Sequence, residues 1–157
     1  MRTAFVLLGM FLAVPRVVFC QGKGQHSAWL GADSIVTVGP ARIGLRVSAW
    51  RDFMPQPEGA QAGSPLMVNL QIMSLDSLPM PTELRVDSAW VRSEDELWSS
   101  APSPEPRPNL PNGLDLILRG GPKWPTHQTI DVLVRLRPAA GAAYYLRARR
   151  QPIGRTM

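Results

Sequence analysis

Cysteine is almost missing from this chain. Its 157 residues include one, Cys20, at the end of the first apolar stretch. A lone thiol cannot close an intramolecular disulfide, so a stapled scaffold is excluded and the core must supply the stability. Histidine is nearly as scarce: the two residues, His26 and His127, lie far apart in sequence. A zinc site takes three or four closely spaced ligands, and neither histidine has such company. Charged residues make up 18% of the chain, against roughly 25% in an average domain. The net charge of +5 does not by itself indicate nucleic-acid binding, and none of a specific kind is expected.

Catalytic signatures are also lacking. Neither Gly-x-Ser-x-Gly nor Ser-x-x-Lys occurs, so the common serine nucleophiles have no setting. Gly120-Gly121-Pro122 is not followed by Lys-Ser/Thr, so no phosphate loop forms there. Glu94, Asp95 and Glu96 are an acidic run in a loop-like segment. Glycosidases instead hold two carboxyls across a cleft, about 5–10 Å apart. No enzyme activity and no cofactor are read from this sequence.

Proline and glycine, by contrast, are plentiful: sixteen and thirteen residues. Proline breaks helix interiors, so the excess fits a chain of turns and short strands. The first residues form a separate unit. Arg2 precedes an apolar run over residues 3–14, Pro15 breaks it, and Val18-Phe19-Cys20 follows. That is the layout of a secretory signal peptide, and the run is shorter than the about 20 residues that span a bilayer. Cleavage is expected after Cys20. Removing Arg2 and Arg16, and no acid, lowers the formal charge from +5 to +3. A lipoprotein built on Cys20 and an N-terminal membrane anchor are the competing readings. Phe19 fits the first poorly, since a small residue belongs before a lipidated cysteine. The expected location is periplasmic or extracellular.

Alternation organises the rest. In residues 42–50, Ile43, Leu45, Val47 and Ala49 share one face, with Arg42, Arg46 and Ser48 on the other. Residues 66–73 put Leu66, Val68, Leu70 and Ile72 inward. Residues 84–92 place Leu84, Val86, Ser88 and Trp90 on one face. Leu114, Leu116 and Leu118 mark another strand; Ile130, Val132, Val134 and Leu136 mark the cleanest one; Tyr144, Leu146 and Ala148 mark the last. A short candidate at residues 35–38 precedes them. A period of two over such lengths is the signature of half-buried strands. No convincing helix is read anywhere.

The expected fold is all-β: a single antiparallel two-sheet sandwich of about seven strands. With its tryptophan-bearing strands and the link over residues 75–81, the chain resembles a bacterial extracytoplasmic immunoglobulin-like or fibronectin-III-like module across residues 35–149. The Cys…Trp…Cys pattern of antibody domains is absent, so homology to true immunoglobulins is not implied. The chain divides into a signal peptide over 1–20, a flexible lead over 21–33, an immunoglobulin-like sandwich over 34–150 and a frayed tail over 151–157.

Four arginines give the surface a direction. Arg135 and Arg137 point outward on one strand, Arg147 and Arg149 on the next, and the turn near residues 138–141 pairs the two. Like charges on neighbouring strands repel. A face that keeps them therefore fits an anionic partner: a protein, a cell-envelope polymer or an anionic lipid surface. The same arginines also serve as a solvated outer face that keeps a sheet soluble.

The function read from these features is an exported, non-catalytic binding module. The alternative is a small extracytoplasmic copper carrier or enzyme on the same sandwich, prompted by Met54, Met67, Met73 and Met80, because thioethers suit Cu(I). Met67 and Met73 share a strand face but are roughly 20 Å apart, too far to share an ion. Trp50, Trp90, Trp98 and Trp124 are candidates for a ligand platform or for core filling, with Trp90 on the core side by parity.

Overall fold

The computed structural model describes residues 23–54, 63–105 and 113–156. The expected signal peptide over 1–20 lies outside them. Chain order gives α1 (Lys23–Gly31), β1 (Ile35–Val38), β2 (Ala41–Asp52), β3 (Leu66–Ser74), β4 (Arg85–Ser93), β5 (Glu96–Ser100), β6 (Ser103–Pro104), β7 (Gly113–Gly121), β8 (Thr129–Arg137) and β9 (Tyr144–Thr156).

The strands pair as one continuous sheet in the order β5-β4-β8-β9-β2-β3-β7-β6, with β1 added to β2. The β2–β9 pairing is parallel and the rest are antiparallel. This corrects the expected two-sheet antiparallel sandwich: the architecture is one mixed sheet, strongly curled into a half-barrel. The cause is β9. Its residues 144–152 pair with β8, and its residues 153–156 pair with β2. Shortly before the changeover two residues, Arg149 and Arg150, oppose the single Asp131, and Arg150 takes a positive φ of 53°. Such a bulge bends and twists the strand. Pro152 follows, without an N–H to give to a ladder. The tail over 151–157, expected to be frayed, is thus strand through Thr156.

The curl buries one face of the strip on itself. Ile43, Leu66, Leu70, Ile72 and Leu118 from one half meet Val91, Ile130, Val132, Val134 and Leu146 from the other in a single core. The edges of the strip come together at Gly121, where a Cβ would lie 2.8 Å from the Trp98 ring. Only glycine admits that approach.

The inward sets read from β3 and β8 are buried, and so is that of β2 except for the half-buried Leu45. On β4 the parity is corrected. A register shift between Val86 and Ser88 inserts Asp87 as an extra residue, so Ala89 and Val91 enter the core and Trp90 turns to the outer face. The lead over 21–33 is also corrected, because it carries a helix. The sequence of α1 has no acid in its first turn and no base in its last. A nine-residue helix is marginal alone. Tertiary packing holds it instead: Trp29 and Ala32 bury Leu133 of β8, with Trp90, Leu97 and Tyr145 around them. No helix among the described residues is long and apolar enough to cross a membrane.

Candidate functional site

The outer face of β5-β4-β8-β9 carries the sequence-derived arginines. Arg135 stands opposite Tyr145, and Arg147 opposite Leu133, so both side chains share that face with Arg137. Three of the four are already engaged. Arg135 donates to Asp87 Oδ1 at 2.7 Å and Oδ2 at 3.1 Å, and to Ser88 Oγ at 3.0 Å. Its guanidinium also lies over the Trp90 ring, 5.8 Å from the centroid. Arg137 Nε meets Asp87 Oδ2 at 2.8 Å. Arg147 donates to Asp131 Oδ2 at 2.5 Å and to the Trp29 carbonyl at 2.7 Å. Arg149 sits at the bulge, and among the described residues its guanidinium has no acceptor.

Two carboxylates therefore organise the face. Asp87, the bulge residue of β4, holds Arg135 and Arg137. Its carboxyl titrates below the usual range, first because Arg135 hydrogen-bonds it; Arg135 is correspondingly raised, first by its hydrogen bond to Asp87. Asp131 takes Arg147, Arg92 at 3.3 Å and the backbone N–H of Arg150 at 2.9 Å. Burial pushes the Asp131 carboxyl up, but the Arg150 N–H and then Arg147 and Arg92 bring it below the usual range. Around this centre Trp29 is clamped, with Arg92 4.7 Å and Arg147 5.3 Å from its ring centroid. Stacked guanidinium–indole contacts contribute about 0.5–2 kcal/mol each.

Asp87, Asp131, Arg92 and Trp29 were not singled out from sequence. Neither was Arg85, which register places directly opposite Arg137. Parity along single strands identified outward arginines, but only cross-strand register shows which acid meets which base.

The remaining candidates are scattered. His127 lines an open polar groove of about 480 Å³ with Arg92, Glu94, Gln128, Thr129 and Asp131. The side chain of His26 lies outside the described ones. Glu94 and Asp95 make the β4–β5 turn, and Glu96 accepts the indole N–H of Trp124. Trp124 is a core residue; Trp98 packs against the core, and Trp50 is half-buried on β2. Met67 and Met73 point to the outer side of β3, Met54 is exposed and Met80 leans on the core. Among the described residues no three His, Cys, Asp or Glu side chains converge as a metal site would need. No protein-family model, curated protein or solved structure matches this chain.

Proposed function

We propose that this chain is an exported, non-catalytic interaction module that holds an anionic partner at the end of its outer sheet face where Arg85, Arg135 and Arg137 meet. The supporting observation is a charge imbalance. Arg85 and Arg137 are direct cross-strand neighbours. Directly opposed residues have Cβ atoms about 4.5–5.5 Å apart, and like charges at that spacing are destabilising. One carboxylate, Asp87, serves Arg135 and Arg137, while Arg85 is exposed and has no acceptor among the described residues. Arg135 is fixed by Asp87, Ser88 and the Trp90 ring. The whole Arg85 guanidinium and the terminal nitrogens of Arg137 remain for a carboxylate or phosphate group. Outside the cytoplasm that group belongs to a cell-envelope polymer, an anionic lipid surface or an acidic patch on a protein.

The paired change Arg85→Gln and Arg137→Gln removes the free Arg85 fork and the terminal nitrogens of Arg137, at the loss of one exposed ion pair to Asp87, without touching the core. It should leave the melting temperature unchanged and weaken sedimentation with phosphatidylglycerol vesicles, or retention on an acidic polymer, about tenfold at low salt. The parent's binding should fade as salt is raised, because exposed charges are screened beyond about 8 Å at physiological ionic strength. A double variant that binds both surfaces as the parent does removes this reading.

Export rests on residues 1–20. Intact-mass measurement on protein from its native compartment should find a chain beginning near Gln21. A full-length, membrane-extracted chain sinks the export reading, and a diacylglycerol mass on Cys20 replaces it with the lipoprotein one.

A further inference from the structure

Near the β9 bulge the α1–β1 connection runs alongside β9, bridged through Asp33 and Leu146. A groove of about 400 Å³ opens there between Asp33, Ser34 and the bulged part of β9. That volume is within the range of small-ligand pockets. Leu45, Ala32 and Ala148 give it an apolar side, and Arg147, Arg149 and Gln151 give it a polar one.

Donors exceed acceptors in this groove. The Arg147 side chain is 11% exposed, and its terminal nitrogens are committed to Asp131 and the Trp29 carbonyl. Its Nε is buried without a partner and closed to solvent, so it adds nothing to what the groove offers a ligand. A buried N–H without an acceptor costs roughly 1–3 kcal/mol, so such groups are rare in native structures. Arg149 has its entire fork free among the described residues. Gln151 uses one amide proton on the Arg149 carbonyl, at 2.7 Å. Against these stands one fixed negative charge at the rim, Asp33, whose backbone carbonyl accepts the Arg147 N–H at 2.9 Å and so anchors the rim to β9.

From this geometry we infer a binding site for a small monocarboxylate with an apolar body, its carboxylate held by Arg149 and its carbon chain laid on the half-buried Leu45. A guanidinium fork matches the flat, two-oxygen geometry of a carboxylate. Asp33 sets the selectivity: its like charge disfavours a phosphate dianion more than a singly charged ligand. The site is separate from the Arg85–Arg137 end and does not depend on the partner proposed there.

The test uses the full chain with hexanoate, acetate, inorganic phosphate and hexylamine, followed by thermal melting and by backbone amide NMR. Hexanoate at ten times its dissociation constant should raise the melting temperature by roughly 3 °C. Acetate, which lacks the apolar body, should bind more weakly than hexanoate; phosphate and hexylamine should do nothing. The hexanoate-induced amide shifts should centre on Ser34, Arg149 and Gln151. Arg149→Gln should melt like the parent without ligand, because Arg149 is exposed, and should lose at least tenfold in hexanoate affinity. The Arg85→Gln, Arg137→Gln double variant should keep the full response. The inference fails if hexanoate acts equally on Arg149→Gln, if phosphate matches hexanoate, or if no ligand moves these amides.

Discussion

Val134→Asp is expected to abolish the fold. Val134 is fully buried at the centre of β8, opposite Ala89 of β4 on one side and Leu146 of β9 on the other. All three belong to the core formed where the curled sheet meets itself. A carboxylate placed there has no cation to meet, because Arg135 and Arg137 project to the opposite face. An uncompensated buried charge costs several kcal/mol, comparable with the about 5–15 kcal/mol of total stability in a domain. The position leaves little room for relief, since β8 is flanked by strands on both edges and cannot tilt the new side chain into solvent. Far-UV circular dichroism should lose its β-sheet signal at 25 °C, and the cooperative melt should vanish. A variant that melts within a few degrees of the parent would contradict the placement of β8 in the core.

That core was legible in the sequence wherever alternation ran uninterrupted. Leu66, Val68, Leu70 and Ile72 on β3, and Ile130, Val132, Val134 and Leu136 on β8, are fully or almost fully buried, as a period of two requires. What alternation cannot encode is the partner. It says which face of a strand is buried, not which strand lies beside it. The parallel pairing of Ala49–Asp52 with Ile153–Thr156 joins the two halves into one sheet, and it is a contact between distant segments that no local pattern announces. The inserted Asp87 reversed the parity of everything after it on β4, so Trp90, read as core, lies outside. One clue to α1 was present. Leu133 is apolar at an outward position between Asp131 and Arg135, and a leucine there calls for a cover, which Trp29 supplies. The helix itself was hidden because its sequence has neither caps nor a helical apolar stripe, only one anchoring indole.

The arginines show the same division. Their outward direction was legible, but their engagement was not, because Asp87 and Asp131 reach them across strands. The consequence is a partition of roles on one face. Arg135 and Arg147 are fixed by carboxylates, carbonyls and indole rings, so they serve the structure. Arg85, Arg149 and the terminal nitrogens of Arg137 have no such partner among the described residues, and the proposed sites are built on them. Replacing all four sequence-derived arginines at once would therefore mix a folding defect with a binding defect, and the two sites need separate variants.

Asp131→Ala should show how much the outer face depends on its central carboxylate. The substitution leaves Arg147, almost wholly buried, without its anion, removes the acceptor of the Arg150 N–H at the bulge and frees Arg92. Removing one partner of a buried ion pair typically costs about 3–5 kcal/mol; partial exposure of Arg92 places this case near the lower end. Arg92 and Arg147 clamp the Trp29 ring from their positions on Asp131, so α1 should loosen as well. Tryptophan emission should shift to the red, and the amides of α1 should exchange faster than those of β3. The pH dependence gives an independent check. Asp131 and Asp87 both titrate below the usual carboxylate range when folded. A carboxylate depressed in this way contributes stability above its unfolded pKa, about 3.9, and that contribution is lost as pH falls through the lower folded value. The parent should therefore lose stability steeply below about pH 4. The variant lacks the Asp131 part of that loss, so the gap between the two proteins in denaturant melts should narrow as the acid limb is descended. A gap that stays constant from neutral pH to the acid end would mean that Asp131 acts through packing and not through its charge. A variant within about 0.5 kcal/mol of the parent at pH 7 would mean that the carboxylate is a surface ornament of the sheet.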